Sequence, residues 1–137
     1  MKVMVDLNVL LDVVQGREPF YPASAQVLGA LLRGKAIGCI PGHALTTLHY
    51  ILSRGNSAEM ADEFIDWLLA RFEILGEDHG VFARARSLKM TDFEDAVVAS
   101  AAENAGCRWI VTRNPKNFLA SPVAASTPEE LIAEWSD

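Results

Sequence analysis

Short apolar runs alternate along this chain with stretches whose apolar residues recur every three or four positions. Val3-Met4-Val5 is apolar and β-prone and ends at Asp6, which reads as a first strand. Val9 to Val14 continue as an apolar helical turn or two, broken by Gly16-Arg17-Glu18-Pro19. Pro22 to Arg33 reads as a helix with Val27, Leu28, Leu31 and Leu32 on one face and Gly34 as its stop. Ile37-Gly38-Cys39-Ile40 is a second buried strand, turned by Pro41-Gly42 into a helix carrying Ala44, Leu45, Leu48, Ile51 and Leu52. Gly55-Asn56 ends that helix, and Ser57 caps another that runs to about Arg71. Phe72 to Leu75 reads as a strand, and Asp78 to Leu88 as a helix. Thr91-Asp92-Phe93-Glu94 has capping-box spacing, with Thr91 as N-cap of an Ala-rich helix that ends at Asn104-Ala105-Gly106. Trp109-Ile110-Val111 is the last strand predicted, and Thr127-Pro128-Glu129-Glu130 is a second capping box that opens a final helix.

Strands that alternate with helices and are apolar throughout imply a parallel sheet covered on both faces, here as one domain over residues 1–137. The expected architecture is therefore a three-layer α/β/α sandwich. Ligands gather at the carboxyl ends of strands in such sheets, so the polar residues just after each strand come first. Asp6 and Asn8 follow the first strand, and Thr112 and Asn114 follow the strand at 109–111. Asp92 and Asp95 are three apart in the first turn of the Ala-rich helix and share a side, with Glu94 rotated away. Convergence of Asp6, Asp92 or Asp95, and Asn114 would gather carboxylates that repel unless a cation sits between them. An oxygen-only ligand set suits a hard ion such as Mg²⁺ or Mn²⁺. Each residue also has a local role open to it: Asp92 and Asp95 as charges at a helix N-terminus, Asp6 as a cap, and Asn8, Thr112 and Asn114 as turn residues.

Charge sharpens the metal reading. Twelve basic and eighteen acidic residues leave a net charge of −6. A domain that binds nucleic acid mainly by counterion release is usually basic, so any nucleic acid here needs a local patch or a bridging metal. Arg84, Arg86 and Lys89 are the densest basic cluster, read first as a solvated face and second as a nucleic-acid contact. His43, His49 and His79 have no metal-ligand spacing and read as rim or surface residues without a catalytic role. Cys39 and Cys107 lack CxxC spacing and read as small core residues. Phe64, Trp67, Leu68 and Leu69 read as core or dimer contact. No apolar run reaches the roughly 18 residues of a membrane span, and Asp6 interrupts any signal-peptide stretch. A cytoplasmic protein is expected.

Four segments resemble one known family. Asp6-Leu7-Asn8-Val9-Leu10-Leu11-Asp12 resembles the "DTNVLLD" opening of PIN-domain nucleases. Asp92-Phe93-Glu94-Asp95-Ala96 resembles their "DFEDA" helix start, and Ile110 to Phe118 their "IVTRNxKDF" strand end. Ala44 to Tyr50 is similar to the "AITTIYY" helix of one bacterial branch. The resemblance implies a central parallel sheet and a metal-dependent endoribonuclease, often the toxin of a toxin–antitoxin pair. It implies Asp6 and Asp95 as metal-binding carboxylates with Asp92 as a neighbour, and Asn114 and Thr112 at the strand-end position. Asp92 is then expected as a third oxygen or a second-metal ligand, and Asn8, Thr47 and Thr112 as supporting residues. Two positions depart from the pattern: Thr47 stands where many members have Glu, and Asn117 where "DF" is common.

Two other readings stand beside this one. A PIN-like domain with a thinned acidic site would be an RNA- or protein-binding module. A haloacid-dehalogenase-like phosphatase also begins with Asp after strand one, but needs a second Asp where this chain has Asn8. The expected partners are an RNA substrate, an antitoxin protein and, because the apolar helices across residues 25–70 exceed the needs of one sheet face, a second copy of the chain.

Overall fold

A computed structural model describes residues 1–136. Its sheet has five parallel strands in the order β3-β2-β1-β4-β5: β1 (Lys2–Val5), β2 (Ile37–Pro41), β3 (Glu73–Leu75), β4 (Trp109–Val111) and β5 (Ala124–Ser126). The helices are α1 (Leu7–Val14), α2 (Tyr21–Leu32), α3 (Gly42–Gly55), α4 (Ala58–Arg71), α5 (His79–Ser87), α6 (Phe93–Ala105) and α7 (Pro128–Trp135). A 3-10 turn spans Pro115–Phe118.

Strand alternation divides the core in two. Val3, Val5, Ile40 and Val111 point to the face covered by α1, α2, α3, α4 and α7. Met4, Cys39 and Ile110 point to the face covered by α5 and α6. The first face is filled by branched aliphatics such as Leu10, Leu48, Leu52 and Leu68. The second is filled by an α6 whose residues Ala96 to Ala102 are all buried. The three-layer α/β/α architecture expected from the alternation is thus the one observed. Cys39 and Cys107 are buried and unbridged, as expected.

Three details differ from the sequence reading. The α6 cap is Asp92, not Thr91: Asp92 Oδ1 accepts from the Asp95 N–H at 2.9 Å. Aspartate caps at least as well as threonine, and with the helix starting one residue later Glu94 falls at the second helical position. The second capping box, at Thr127, forms in full with Glu130. β5 was not expected, because Ala124-Ala125-Ser126 has no strand pattern of its own and is defined by its pairing with β4. The 64–69 stripe splits: Leu68 is buried and Phe64 and Trp67 pack on the core, whereas Leu69 is exposed. No helix among the described residues is long and apolar enough to cross a membrane.

Candidate active site

The carboxyl ends of β1 and β4 lie side by side, Val5 in register with Val111. Each ends in a residue that turns into the same small volume. Asp6 is the N-cap of α1; its Oδ1 accepts from the Leu7 N–H at 2.9 Å. The Thr112 hydroxyl donates to Asp6 Oδ2 at 2.8 Å. The same hydroxyl accepts from Asn8 Nδ2 at 3.3 Å and from the Asn114 N–H at 3.2 Å, so the fully enclosed Thr112 is saturated. Asn8 completes the net: Nδ2 also lies 3.5 Å from Asp6 Oδ2, and Oδ1 accepts from the Arg113 N–H at 3.3 Å. Asp6, Asn8 and Thr112 are thereby locked together from two strand ends. Asn114 joins through its backbone, and its carbonyl accepts from the Asn117 N–H in the 3-10 turn.

The electrostatics are those of an acid cluster. Burial pushes the Asp6 carboxyl above its usual value, against the pull of Thr112 and Leu7, and Glu94 pushes it further. Asp95 is raised to about 6, first by burial and then by the charges of Asp6, Asp92 and Glu94. Among the described residues, neither Asp6 nor Asp95 pairs with a lysine or arginine. Asp92 is exposed and spends one oxygen capping α6. Glu94 lies off the Asp92–Asp95 cleft, beside His43, Phe82 and Phe93, yet its charge still raises both Asp6 and Asp95, and its Oε2 lies 4.0 Å from His43 Nε2.

Thr47 contributes less than the sequence suggested. Its hydroxyl turns back to the His43 carbonyl at 3.3 Å, one helical turn away. Beside Asp92 and Asp95 opens a cleft of about 420 Å³ whose lining includes Lys89, Lys116 and Asn117. Lys89 is thus the member of the basic cluster that reaches the site. Arg84 is instead held by a two-pronged pair with Glu103, at 2.9 and 3.2 Å, which is the solvated-face reading.

Sequence reasoning missed Glu77 and passed over His43. Glu77 follows β3, and its Oε1 accepts from the His43 N–H at 3.1 Å while Oε2 meets His43 Nδ1 at 2.6 Å. Both lie just beyond a strand end, the position that singled out Asp6 and Thr112.

Residues 2–116 match the PIN-domain family profile. The chain belongs to the PIN-domain family. Over 140 residues it is 26% identical to ribonuclease VapC1 of Aquifex aeolicus, covering 98% of this chain and 96% of that protein. Its fold is that of solved PIN structures. VapBC2 from Rickettsia felis, bound to a DNA fragment from its promoter, superposes with TM-score 0.73 at 20% identity, covering 93% of this chain and 98% of the other. Mycobacterium tuberculosis VapC20, a sarcin–ricin-loop-cleaving toxin, superposes with TM-score 0.64 at 13% identity, covering 79% and 86%. Membership sets aside the phosphatase reading, which Asn8 also opposes: an amide held by Asp6, Thr112 and the Arg113 N–H offers no acid or base.

Proposed function

We propose that this PIN-domain protein is a divalent-metal-dependent endoribonuclease, the toxin of a toxin–antitoxin pair, acting in the cytoplasm. The observation that carries the reading is the strand-end net of Thr112, Asn8 and the Leu7 N–H that fixes Asp6, with the half-buried Asp95 near enough to feel its charge and, among the described residues, neither carboxylate paired with a lysine or arginine. The similarity to a ribonuclease VapC1 and to VapBC assemblies supports the substrate class and an antitoxin partner. The exposed Leu69, beside the apolar helices of residues 25–70, supports self-association.

The donor set fits a hard cation. Asp6 Oδ1 accepts from Leu7 and Oδ2 from Thr112, with a long contact from Asn8, and a carboxylate has about four acceptor positions in all. Among the described residues, no group of three or more His, Cys, Asp or Glu is arranged to hold a metal. Mg²⁺ does not require one, because it binds through one or two carboxylates and keeps several waters. Asp6 and Asp95 would hold it, with Asp92 beside them. The ion supplies Lewis-acid polarisation of the phosphate and a more acidic bound water. The chain's own part is to fix the Asp6 oxygens through Thr112 and Asn8, and to present Asn114 and the lysine-lined cleft to the RNA backbone. Lys89 and Lys116 provide the local positive charge that a chain of net charge −6 otherwise lacks. By the family resemblance, the products carry a 5′-phosphate and a 3′-hydroxyl.

A binding-module reading is favoured by one observation, the Thr47 hydroxyl turned into its own helix. Cleavage of single-stranded RNA with Mn²⁺ or Mg²⁺ separates the two. The expected result is metal-dependent cleavage that Asp6→Asn and Asp95→Asn reduce by about a thousandfold or more, with unchanged circular dichroism. Full activity in Asp6→Asn sinks the nuclease assignment. RNA binding without cleavage by the natural protein selects the module.

A further inference from the structure

His43 is built as a positioned imidazole. It sits in the first turn of α3, directly after β2, with its side chain about one-quarter exposed (26%). Glu77, whose side chain is 8% exposed, clamps it twice, through the backbone N–H at 3.1 Å and through Nδ1 at 2.6 Å. Gly42 permits the clamp: a Cβ there would lie 2.9 Å from the Leu75 carbonyl oxygen, two residues before Glu77. An ionised carboxylate only accepts, so Nδ1 carries the hydrogen of the 2.6 Å contact. Nε2 then faces outward, toward Glu94 Oε2 at 4.0 Å, too far for a hydrogen bond and close to the acid cluster. A carboxylate that fixes one ring nitrogen and frees the other is the arrangement of a proton-transfer histidine.

Resting on the ribonuclease reading, we propose that His43, positioned by Glu77, is the general acid of the cleavage and protonates the departing O3′ from Nε2. As the bond from the water oxygen to phosphorus forms, the bond from phosphorus to O3′ breaks. The cationic ring, protonated on both nitrogens, passes its Nε2 proton to O3′ and yields the 3′-hydroxyl; the attacking water loses its proton to solvent, and the ring, left neutral with its hydrogen on Nδ1, regains one from solvent. The titratable groups facing the ring are Glu77 from the β3–α5 turn, Glu94 from α6 and, beyond them, Asp6 at the end of β1. With Asp6 and Asp95 assigned to the metal, protonation of the leaving group is a task those two residues leave open.

The test is His43→Gln measured on two substrates: single-stranded RNA, and the p-nitrophenyl ester of thymidine 5′-monophosphate, whose leaving group departs without a proton. The expected loss is about 10²- to 10⁴-fold in kcat on RNA, with the aryl ester hydrolysed at nearly the natural rate. The alkaline fall of the RNA pH profile should disappear in this variant. Glu77→Gln should slow RNA cleavage as well and add little to His43→Gln in the double variant. Without metal, ¹⁵N NMR should find the neutral ring protonated at Nδ1, and a mixture of tautomers in Glu77→Gln. Undiminished RNA cleavage by His43→Gln overturns the proposal alone, as does an equal loss on both substrates. Undiminished cleavage by Asp6→Asn, or a folded natural protein that cleaves neither substrate, overturns the ribonuclease reading and this proposal with it.

Discussion

Helix α1 carries a buried aspartate near each end, and the two are treated in opposite ways. Asp12, inside the helix, is fully enclosed, and Arg113 Nε lies 2.9 Å from its Oδ2. That contact is ionic rather than a well-aligned hydrogen bond, and Asp12 Oδ1 has no hydrogen-bond partner. The guanidinium is itself seated 4.4 Å above the Phe20 ring. Burial pushes the Asp12 carboxyl up, and Arg113 and then Arg17 pull it down. Asp6, at the cap, has only dipoles on its oxygens, and its charged neighbours include Glu94 and Asp95. Consecutive residues at the end of β4 serve the two: Thr112 gives a hydroxyl to Asp6, and Arg113 gives a cation to Asp12. The fold thus had an arginine at hand and directed it to the structural carboxylate. At Asp12 the chain supplies its own cation; at Asp6 it supplies none, which is the difference the proposed metal site rests on.

The largest expected stability effect comes from breaking the supplied pair. Arg113→Ala leaves Asp12 buried and uncompensated, and removing one partner of a buried pair costs about 3–5 kcal/mol. Urea unfolding should show that loss, and Asp12→Asn combined with Arg113→Met should recover part of it. Asp6→Asn should instead be neutral or stabilising without metal, because it removes a charge that has no partner cation. A destabilisation by Asp6→Asn as large as that of Arg113→Ala would erase the contrast between the two ends.

Metal sharpens the comparison next. An ion that binds only the folded protein stabilises it by about 2.7 kcal/mol at a hundred times its Kd. Mn²⁺ should raise the thermal midpoint of the natural protein and leave Asp6→Asn unmoved. The double variant at Asp12 and Arg113 should still respond. Equal responses in the natural protein and Asp6→Asn would place the ion elsewhere.

Thr112 tests the hinge between the two ends. Thr112→Val keeps the shape but removes the donor to Asp6 and the acceptor for Asn8 and Asn114. Leaving such buried groups unpaired costs about 1–3 kcal/mol, and Thr112→Ser should restore most of it. Unchanged unfolding in Thr112→Val would mean that Asp6 is held by the α1 cap alone.

How much of this was legible follows from where each signal resides. Asp6, Thr112 and Asn8 could be found because strand-end position is a property of the one-dimensional pattern. Their joining needed β1 and β4 to be neighbours, which the alternation of elements does not specify and the sheet order supplies. β5 was hidden because its three small residues carry no periodicity. The turn of Glu94 away from Asp92 and Asp95 was readable from helical spacing, since one residue turns a helical side chain by about 100°; its neighbour His43, 51 positions away, was not. Glu77 lay in a Gly-Glu-Asp stretch that reads as loop, yet the strand-end rule applied evenly would have named it and His43 together. The partner of Asp12 was beyond reach, since Arg113 stands 101 positions away and no local pattern ties them.

The smallest expected effect is a slope of stability with pH, and its sign separates an acid cluster without protein counter-ions from one that carries its own. Folding raises Asp95 from 3.8 to about 6 and also raises Asp6. Between those two values the folded chain holds a proton that the unfolded chain has released, so unfolding free energy falls as pH rises. The stability is present in full below about pH 4 and lost as pH passes about 6. Asp95 is only half-buried, so solvent screening trims the effect to on the order of 1 kcal/mol. Chemical denaturation across pH 4.5–7 in EDTA should therefore slope downward, and Asp95→Asn should remove most of that slope. Excess Mn²⁺ should reverse it, because the ion binds the ionised carboxylates and its affinity grows as they lose protons. A slope that persists unchanged in Asp95→Asn would assign it to other groups, Asp6 and Asp12 first, whose carboxyls burial also raises.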